Sequence, residues 1–395
     1  MGPAPGHHRL RDRDPDRWTR ATPVHPTNTA RGTIGRMDLT SAVRVAGRGV
    51  AAAGVLAAGA AVGVLAERAL IRRTALPDAP SEADELGTLR GEQRELLTED
   101  GTRLHVEVDE PQDPQCADLT VVFAHGYALN QDSWHFQRKA LRGKARLVFY
   151  DQRSHGRSGR ADYESHHIDQ LGLDLAAVLE AVAPTGPVIL LGHSMGGMTV
   201  MAYCEAHSDE IGGRIRGIGL IATTAGDVAA GSLGFPRPLG RFVQSVAPPI
   251  AATLAKRSNL IDGWDESDFG LLLTRLYSFG SPTSDHVGRF VARMLAGTSL
   301  EVVAEFLPAL HEHDKHDMLP VLQRAEVLVI AGEKDRLTPP ALSEDIVEHI
   351  PGAEFALLGD AGHMVMLERP EEVNGLIVGL IERVRRGIRS EQGAA

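Results

Sequence analysis

Gly192-His193-Ser194-Met195-Gly196 follows the apolar run Pro187 to Leu191 and precedes a segment of helical character, Met198 to Ala206. The spacing is G-x-S-x-G between a strand and a helix. A serine on a sharp strand-to-helix turn is driven into a strained backbone conformation, and its hydroxyl then stands clear of the sheet. The flanking glycines leave room for neighbouring backbone, and the helix N-terminus places partial positive charge where an oxyanion would form. Small residues also meet at strand–helix turns for packing reasons alone. The meaning of the pentapeptide is therefore decided by what surrounds it.

Upstream, Asp169 to Val182 reads as an amphipathic helix, with Leu171, Leu175, Val178 and Leu179 at helical spacing and Pro184 and Gly186 as its stop. Before it comes a buried strand, Arg146 to Tyr150, ending in Asp151-Gln152-Arg153-Ser154-His155-Gly156-Arg157-Ser158-Gly159. Earlier still, Leu119 to Ala124 is apolar throughout, as a strand covered on both faces must be, and runs into His125-Gly126-Tyr127. Asp132-Ser133 then read as the cap of a helix carrying Trp134 and Phe136. Glu95 to Thr98 and Leu104 to Val108 flank Asp100-Gly101 as an opening hairpin.

Downstream, Ile215 to Ala222 is a further strand. From 227 to 310 the pattern changes. Pro236, Pro238, Pro248 and Pro249 interrupt helical stretches at Arg241 to Leu254, Glu266 to Tyr277, Asp285 to Leu295 and Leu300 to Leu310, which predicts an inserted helical layer. The strand pattern returns at Val327 to Ala331, ending in Gly332-Glu333-Lys334-Asp335, with Thr338 and Pro339 opening the next helix. Glu354 to Leu358 is the last strand and leads to Gly359-Asp360-Ala361-Gly362-His363; Glu371 to Arg385 closes as a helix. Strands alternating with helices predict an α/β fold with a mostly parallel sheet.

Set in this order, the chain from about residue 90 to 388 resembles the α/β-hydrolase superfamily. The residues that carry the resemblance are His125-Gly126 after the third strand, Asp151-x-Arg153-x-x-Gly156-x-Ser158 after the fourth, Gly192-x-Ser194-x-Gly196 after the fifth, Gly332-x-x-Asp335 after the seventh and Gly362-His363 after the eighth. The order Ser, Asp, His is the one that fold uses. The resemblance implies an eight-stranded, mostly parallel sheet with helices on both faces and a helical lid. It also implies a triad of Ser194 as nucleophile, His363 as base and Asp335 as its orienting acid. By the same analogy the backbone N–H groups of Tyr127 and Met195 form the oxyanion hole, leaving the Tyr127 side chain, with Trp134, to line the pocket. Asp227, after the sixth strand, is the alternative to Asp335 as that acid.

Serine at the elbow narrows the chemistry. Epoxide hydrolases and haloalkane dehalogenases of this fold place Asp there, so acyl transfer to water is expected, with no cofactor. The apolar lid leans toward a small-molecule ester with an apolar acyl group, even a lipid-like one. A cofactor-free perhydrolase (haloperoxidase-like) or a carbon–carbon bond hydrolase is the alternative within the fold, and a binding protein on a hydrolase scaffold is the alternative outside it.

Other polar clusters have plainer readings. His125 and His193 are expected to be structural hydrogen-bonders, and Asp151 and Arg153 to tie a turn. Asp360, three residues from His363, is a poor triad acid. His311-Glu312-His313-Asp314-Lys315-His316-Asp317 lacks the i, i+4 histidine pair of a helical zinc site and reads as a solvated surface, not a metal centre.

The formal charge of −11 over 395 residues argues against nucleic acid as a partner. That charge is uneven: residues 1–73 hold twelve Arg against five acidic residues. Residues 1–36, rich in Pro, His, Arg and Asp without apolar periodicity, read as a disordered extension. Within 37–73, Val50 to Ala66 is uncharged and Ala/Gly-rich, flanked by Arg44 and Arg48 before and Glu67, Arg68, Arg72 and Arg73 after. Seventeen residues as a helix reach about 25 Å, just short of a hydrocarbon core. A single membrane anchor is the leading expectation, helped by Gly59-x-x-x-Gly63, with a signal peptide and an Ala-rich packing helix as alternatives. Residues 74–92 read as a linker, 93–226 and 311–388 as the core, 227–310 as the lid and 389–395 as a tail. The two cysteines suggest no disulfide, and Cys204, on the apolar face of the helix after Ser194, reads as a buried thiol.

Overall fold

The computed structural model describes residues 75–76, 85–226 and 268–394, all of them within the compact unit Ala61–Ala395. The apolar runs become an eight-stranded sheet: β1 Glu92–Leu97, β2 Arg103–Asp109, β3 Thr120–Ala124, β4 Arg146–Tyr150, β5 Val188–His193, β6 Ile215–Ile221, β7 Glu326–Gly332 and β8 Glu354–Leu358. Their spatial order is β8-β7-β6-β5-β3-β4-β2-β1. Strand β2 runs antiparallel to both its neighbours; every other pairing is parallel. The hairpin between β1 and β2 turns at Gly101, whose φ of +81° is one a side chain disfavours.

Burial follows the pattern of the strands. Every residue of β3 and β5 is buried, because helices cover both faces. On one face α1 (His135–Leu141) and α9 (Pro370–Ala394) enclose Phe123, Phe149, Leu191 and Ile330. On the other, α2 (Ile168–Val182), α3 (Met195–Ala206) and α7 (Pro340–His349) enclose Val122, Val148, Leu190 and Val329. Alternate residues of one strand thus feed two separate cores, the period-two consequence of a pleated backbone. The segment predicted as a lid contributes α4 (Asp268–Ser278), α5 (Asp285–Ala296) and α6 (Leu300–Glu312), each close to a helix the sequence predicts. Helix α6 reaches the elbow helix through a third apolar cluster, in which Val302, Phe306 and Ala309 meet Met195, Met198 and Ala202. The short helix α8 (Val365–Glu368) follows His363.

Several expectations are corrected. Helix α3 begins at Met195, three residues early, because Ser194 itself is its N-cap. Asp132-Ser133 do not cap α1, whose N-cap is Trp134 with no side-chain bond; they lie in the 3-10 turn Gln131–Trp134 before it, which Asn130 caps, its side chain accepting from Asp132 N at 3.0 Å. Thr338 does not cap α7, since its N–H and hydroxyl both point to Asp335. The supposed tail is helical to Ala394, as α9 continues past Arg385. The end of the supposed linker is docked, with Leu86 in the core and Gly87 N donating to His135 Nδ1. The 311–317 run is not uniformly solvated: His313 and Lys315 are buried, Lys315 pairing with Asp169 and Glu205 across to α2 and α3.

The apolar segment 50–66, the extension before it, the first predicted lid helix and Asp227 lie outside the described residues. Among the described residues no helix is long and apolar enough to cross a membrane.

Candidate active site

The elbow is built by close approach of backbone. A Cβ at Gly192 would lie 2.3 Å from Gly196 O, and one at Gly196 would lie 2.1 Å from Ala124 O. Only glycine lets β5, α3 and β3 meet there. Ser194 is forced to φ 53°, ψ −122°, a region that an L-residue enters only under strain. Its N–H donates to Ile221 O at 2.9 Å, and its carbonyl accepts from the Thr223 hydroxyl at 2.7 Å. These bonds fix the backbone and leave the side chain to project. Ser194 Oγ forms no hydrogen bond among the described residues.

The other two members arrive from the ends of β7 and β8. His363 Nδ1–H donates to Asp335 Oδ2 at 2.9 Å. The second oxygen of Asp335 accepts from Leu337 N at 2.8 Å and Thr338 N at 3.0 Å, and the Thr338 hydroxyl donates to Oδ2 at 2.7 Å. Burial alone would raise this carboxyl; His363 and the Thr338 donors overcome it and hold Asp335 below the ordinary carboxylate value. The pair therefore has the proton arrangement that a general base needs: Nδ1 protonated and oriented, Nε2 left to face a nucleophile.

The neighbouring histidines are structural, as their contexts predict. His193 is fully buried, and its Nε2–H donates to the backbone carbonyl of His363 at 2.9 Å. Burial, with His363 close by, lowers its pKa to about 3, so it stays neutral and keeps that donor. The residue before Ser194 thus holds the loop of His363. His125 donates Nδ1–H to Gly126 O and accepts from Gln152 N at 2.9 Å, while Gln152 donates to His125 O and accepts from Thr199. Burial lowers His125 to about 4. This chain of bonds ties the loops after β3 and β4 to α3, setting the loop after β3 against the elbow.

Asp151 and Arg153 anchor the loop after β4. Asp151 accepts from Gln131 N at 2.8 Å and Arg157 N at 2.9 Å. Arg153, with no exposed surface, forms two bonds to Asp174 at 2.6 and 2.7 Å and one to Asp100 at 2.7 Å. Asp360 is exposed and pairs with Lys334, away from the His363 ring nitrogens.

Met195 is the first residue of α3, and Tyr127 lies in the loop after β3. The Tyr127 hydroxyl donates to Val303 O of α6, so this residue joins the loop after β3 to the predicted lid. Trp134 does not line a pocket: it is fully buried in the core, edge-on to Phe123 at 5.3 Å. Sequence reasoning missed a second link to the lid. Ser154, at φ 64°, bonds His166 Nε2 at 2.8 Å, and His166 Nδ1 pairs with Glu305 of α6 at 2.9 Å while its ring stacks on Phe306 at 4.5 Å. A buried histidine flanked by a serine and a distant acid gives no periodic signal. Among the described residues no group of His, Cys, Asp and Glu is placed to hold a metal ion.

Comparison with known proteins agrees with this architecture. The chain is similar to 3-oxoadipate enol-lactonase 2 of Acinetobacter baylyi, at 28% identity over 265 residues, covering 67% of this chain and 88% of that protein. It is similar to the non-heme chloroperoxidase of Streptomyces lividans, at 36% identity over 109 residues, 27% of this chain and 37% of that one. The fold matches a solved thermophilic esterase from Thermogutta terrifontis with a TM-score of 0.54 at 24% identity, over 74% of this chain and 99% of that one. The sequence model of the alpha/beta hydrolase family matches residues 121–376, a span that holds the elbow and the ends of β7 and β8. With that match and a sheet order that brings Ser194, Asp335 and His363 to strand ends, the chain belongs to the alpha/beta hydrolase family.

Proposed function

We propose that the protein is a serine hydrolase that cleaves a carboxylic ester, open-chain or cyclic, through an acyl-enzyme on Ser194. The observation that carries this reading is the His363–Asp335 pair, held at 2.9 Å with Nδ1 as donor, in a fold whose elbow presents a strained Ser194. Ser194 Oγ attacks the carbonyl carbon as His363 Nε2 takes its proton; the carbonyl oxygen becomes an oxyanion facing the N–H groups of Met195 and Tyr127. Collapse expels the alcohol, which receives the proton from His363. Water then repeats the sequence with His363 again as base and frees the acid. Asp335 keeps the imidazole in one tautomer and stabilises the imidazolium in both halves.

The esterase and enol-lactonase among the similar proteins support ester chemistry. Perhydrolysis is the second reading, favoured by the local likeness to the Streptomyces lividans chloroperoxidase. It differs only in that peroxide, not water, meets the acyl-enzyme.

A series of nitrophenyl esters of rising acyl length tests the proposal on wild type, Ser194→Ala and Asp335→Asn. Cleavage is expected to vanish in Ser194→Ala and to fall by ~10^3–10^4 in kcat in Asp335→Asn, which allows the wrong tautomer of His363. Ester cleavage of equal rate in wild type and Ser194→Ala refutes it. A rate that rises with added hydrogen peroxide and yields peracid moves the assignment to the second reading.

A further inference from the structure

We infer that Glu368 is a positioning residue that locks the His363 loop to the end of lid helix α4 in one register; this rests on the hydrolase reading above. Glu368 closes the short helix α8, five residues after the proposed base. Its Oε1 accepts from Gly362 N at 2.6 Å, and its Oε2 accepts from Gly280 N at 2.8 Å and Ser281 N at 3.3 Å. One carboxylate thus gathers three backbone donors from two segments far apart in the chain. Met364 N completes the junction by donating to Ser278 O at 2.9 Å.

The two segments touch backbone to backbone. A Cβ at Gly362 would lie 2.4 Å from Gly280 N, and a Cβ at Gly280 would lie 2.5 Å from Ala361 C. Such an approach turns N–H groups of both chains toward one place. Three donors converging there require an acceptor with several lone pairs and no hydrogen of its own, which among side chains is an ionised carboxylate. A glutamine supplies one acceptor oxygen, and its NH2 would confront an N–H of the other segment.

The functional weight comes from what lies next to Gly362. The His363 ring is oriented by Asp335, and the His363 carbonyl is held by His193. The N–H just before it is held by Glu368, so three bonds on three sides fix the base. Misplacement of a catalytic group by about 1 Å can cost 10^2-fold in rate. Because the same carboxylate holds residues 280 and 281, movement of the lid at that edge is transmitted to His363.

Glu368→Gln, and separately Gly280→Ala, which forces the junction apart from the lid side, test the inference. Active sites are counted by end-point labelling with a fluorophosphonate, and kcat and KM for a short nitrophenyl ester are expressed per labelled site. Amide hydrogen exchange is followed over residues 278–281 and 360–364. The expected result in both variants is a kcat per labelled site ~10–100-fold lower, with KM within about twofold and exchange faster in both segments together. Unchanged kcat per labelled site, even with a lower melting temperature, overturns the positioning role. Faster exchange in one segment alone overturns the tie. Absence of labelling and of Ser194-dependent cleavage in wild type would instead defeat the hydrolase reading, and the exchange data then decide the tie by themselves.

Discussion

Replacing Ser194 by glycine and by alanine separates the nucleophile from the strain that presents it. Both variants lack the hydroxyl, so neither should turn over ester. They differ in how well they tolerate φ 53°, ψ −122°. For a residue with a Cβ, such a conformation costs about 1–3 kcal/mol, and glycine removes nearly all of it. Glycine also gives the unfolded chain more freedom, which subtracts about 0.4–1 kcal/mol. The Ser194 backbone is held by Ile221 O and by the Thr223 hydroxyl through atoms that both variants retain, so those bonds cancel in the comparison. The net expectation is that Ser194→Gly is more stable than Ser194→Ala by about 1–2 kcal/mol, which in a domain of this size raises the melting temperature by about 2–6 °C. Differential scanning calorimetry of the two proteins at one pH reads this directly. Equal melting temperatures, or a more stable alanine variant, would mean that the elbow stores no strain and that the serine is presented by another cause.

Arg153→Met should destabilise the protein by about 3–5 kcal/mol, because Asp174 would be left as a buried charge without its two-bond partner. In denaturant titration, adding Asp174→Leu to it should recover most of the loss; no recovery would show that the arginine matters through packing alone. Four buried histidines set the acid response. Burial lowers His125 and His313 to about 4 and His155 and His193 to about 3, each below the unfolded value. A depressed folded pKa means that the unfolded chain binds the protons first. Their stability contribution is therefore complete above about pH 6.5 and is lost as pH falls toward 3, by roughly 1 kcal/mol per histidine per pH unit in the steep range. Unfolding free energies measured from pH 7 to 4.5 should show that slope, and a flat profile would contradict it.

The middle of the sheet was legible because its central strands are buried on both faces, so Leu119 to Ala124 and Val188 to Leu191 announce themselves by continuous apolarity. The candidate positions Ser194 and Asp335 were legible because each follows such a strand, whereas His363 follows β8, which is only partly buried, and was legible from Gly362-His363 and its place in the order. What failed was local. Thr338 has the chemistry of an N-cap, but Asp335 three residues earlier competes for its N–H and hydroxyl, and a charged acceptor wins. Trp134 looked like a pocket residue because its neighbourhood is catalytic; a single sequence does not say which way an indole turns, and here it turns to Phe123. The run from His311 to Asp317 alternates so that His313 and Lys315 point inward, a fact set by the β6 loop that they meet at Thr224 and Ala225. Glu368 did leave a trace: it is the first charge after the apolar stretch Met364 to Leu367, and a charge so placed needs partners.

The bond from His193 to the His363 carbonyl bears on how this chain can be recombined. His193 and His363 lie 170 residues apart, yet each supplies half of one hydrogen bond. A chimaera that takes residues up to the lid from one relative and the remainder from another therefore splits that bond between two parents. A parent without a ring donor at the position of His193 would leave the carbonyl of His363 bare, however well both halves fold. Crossovers that keep the elbow and the last loop from the same parent avoid this, which makes those distant segments one unit of inheritance.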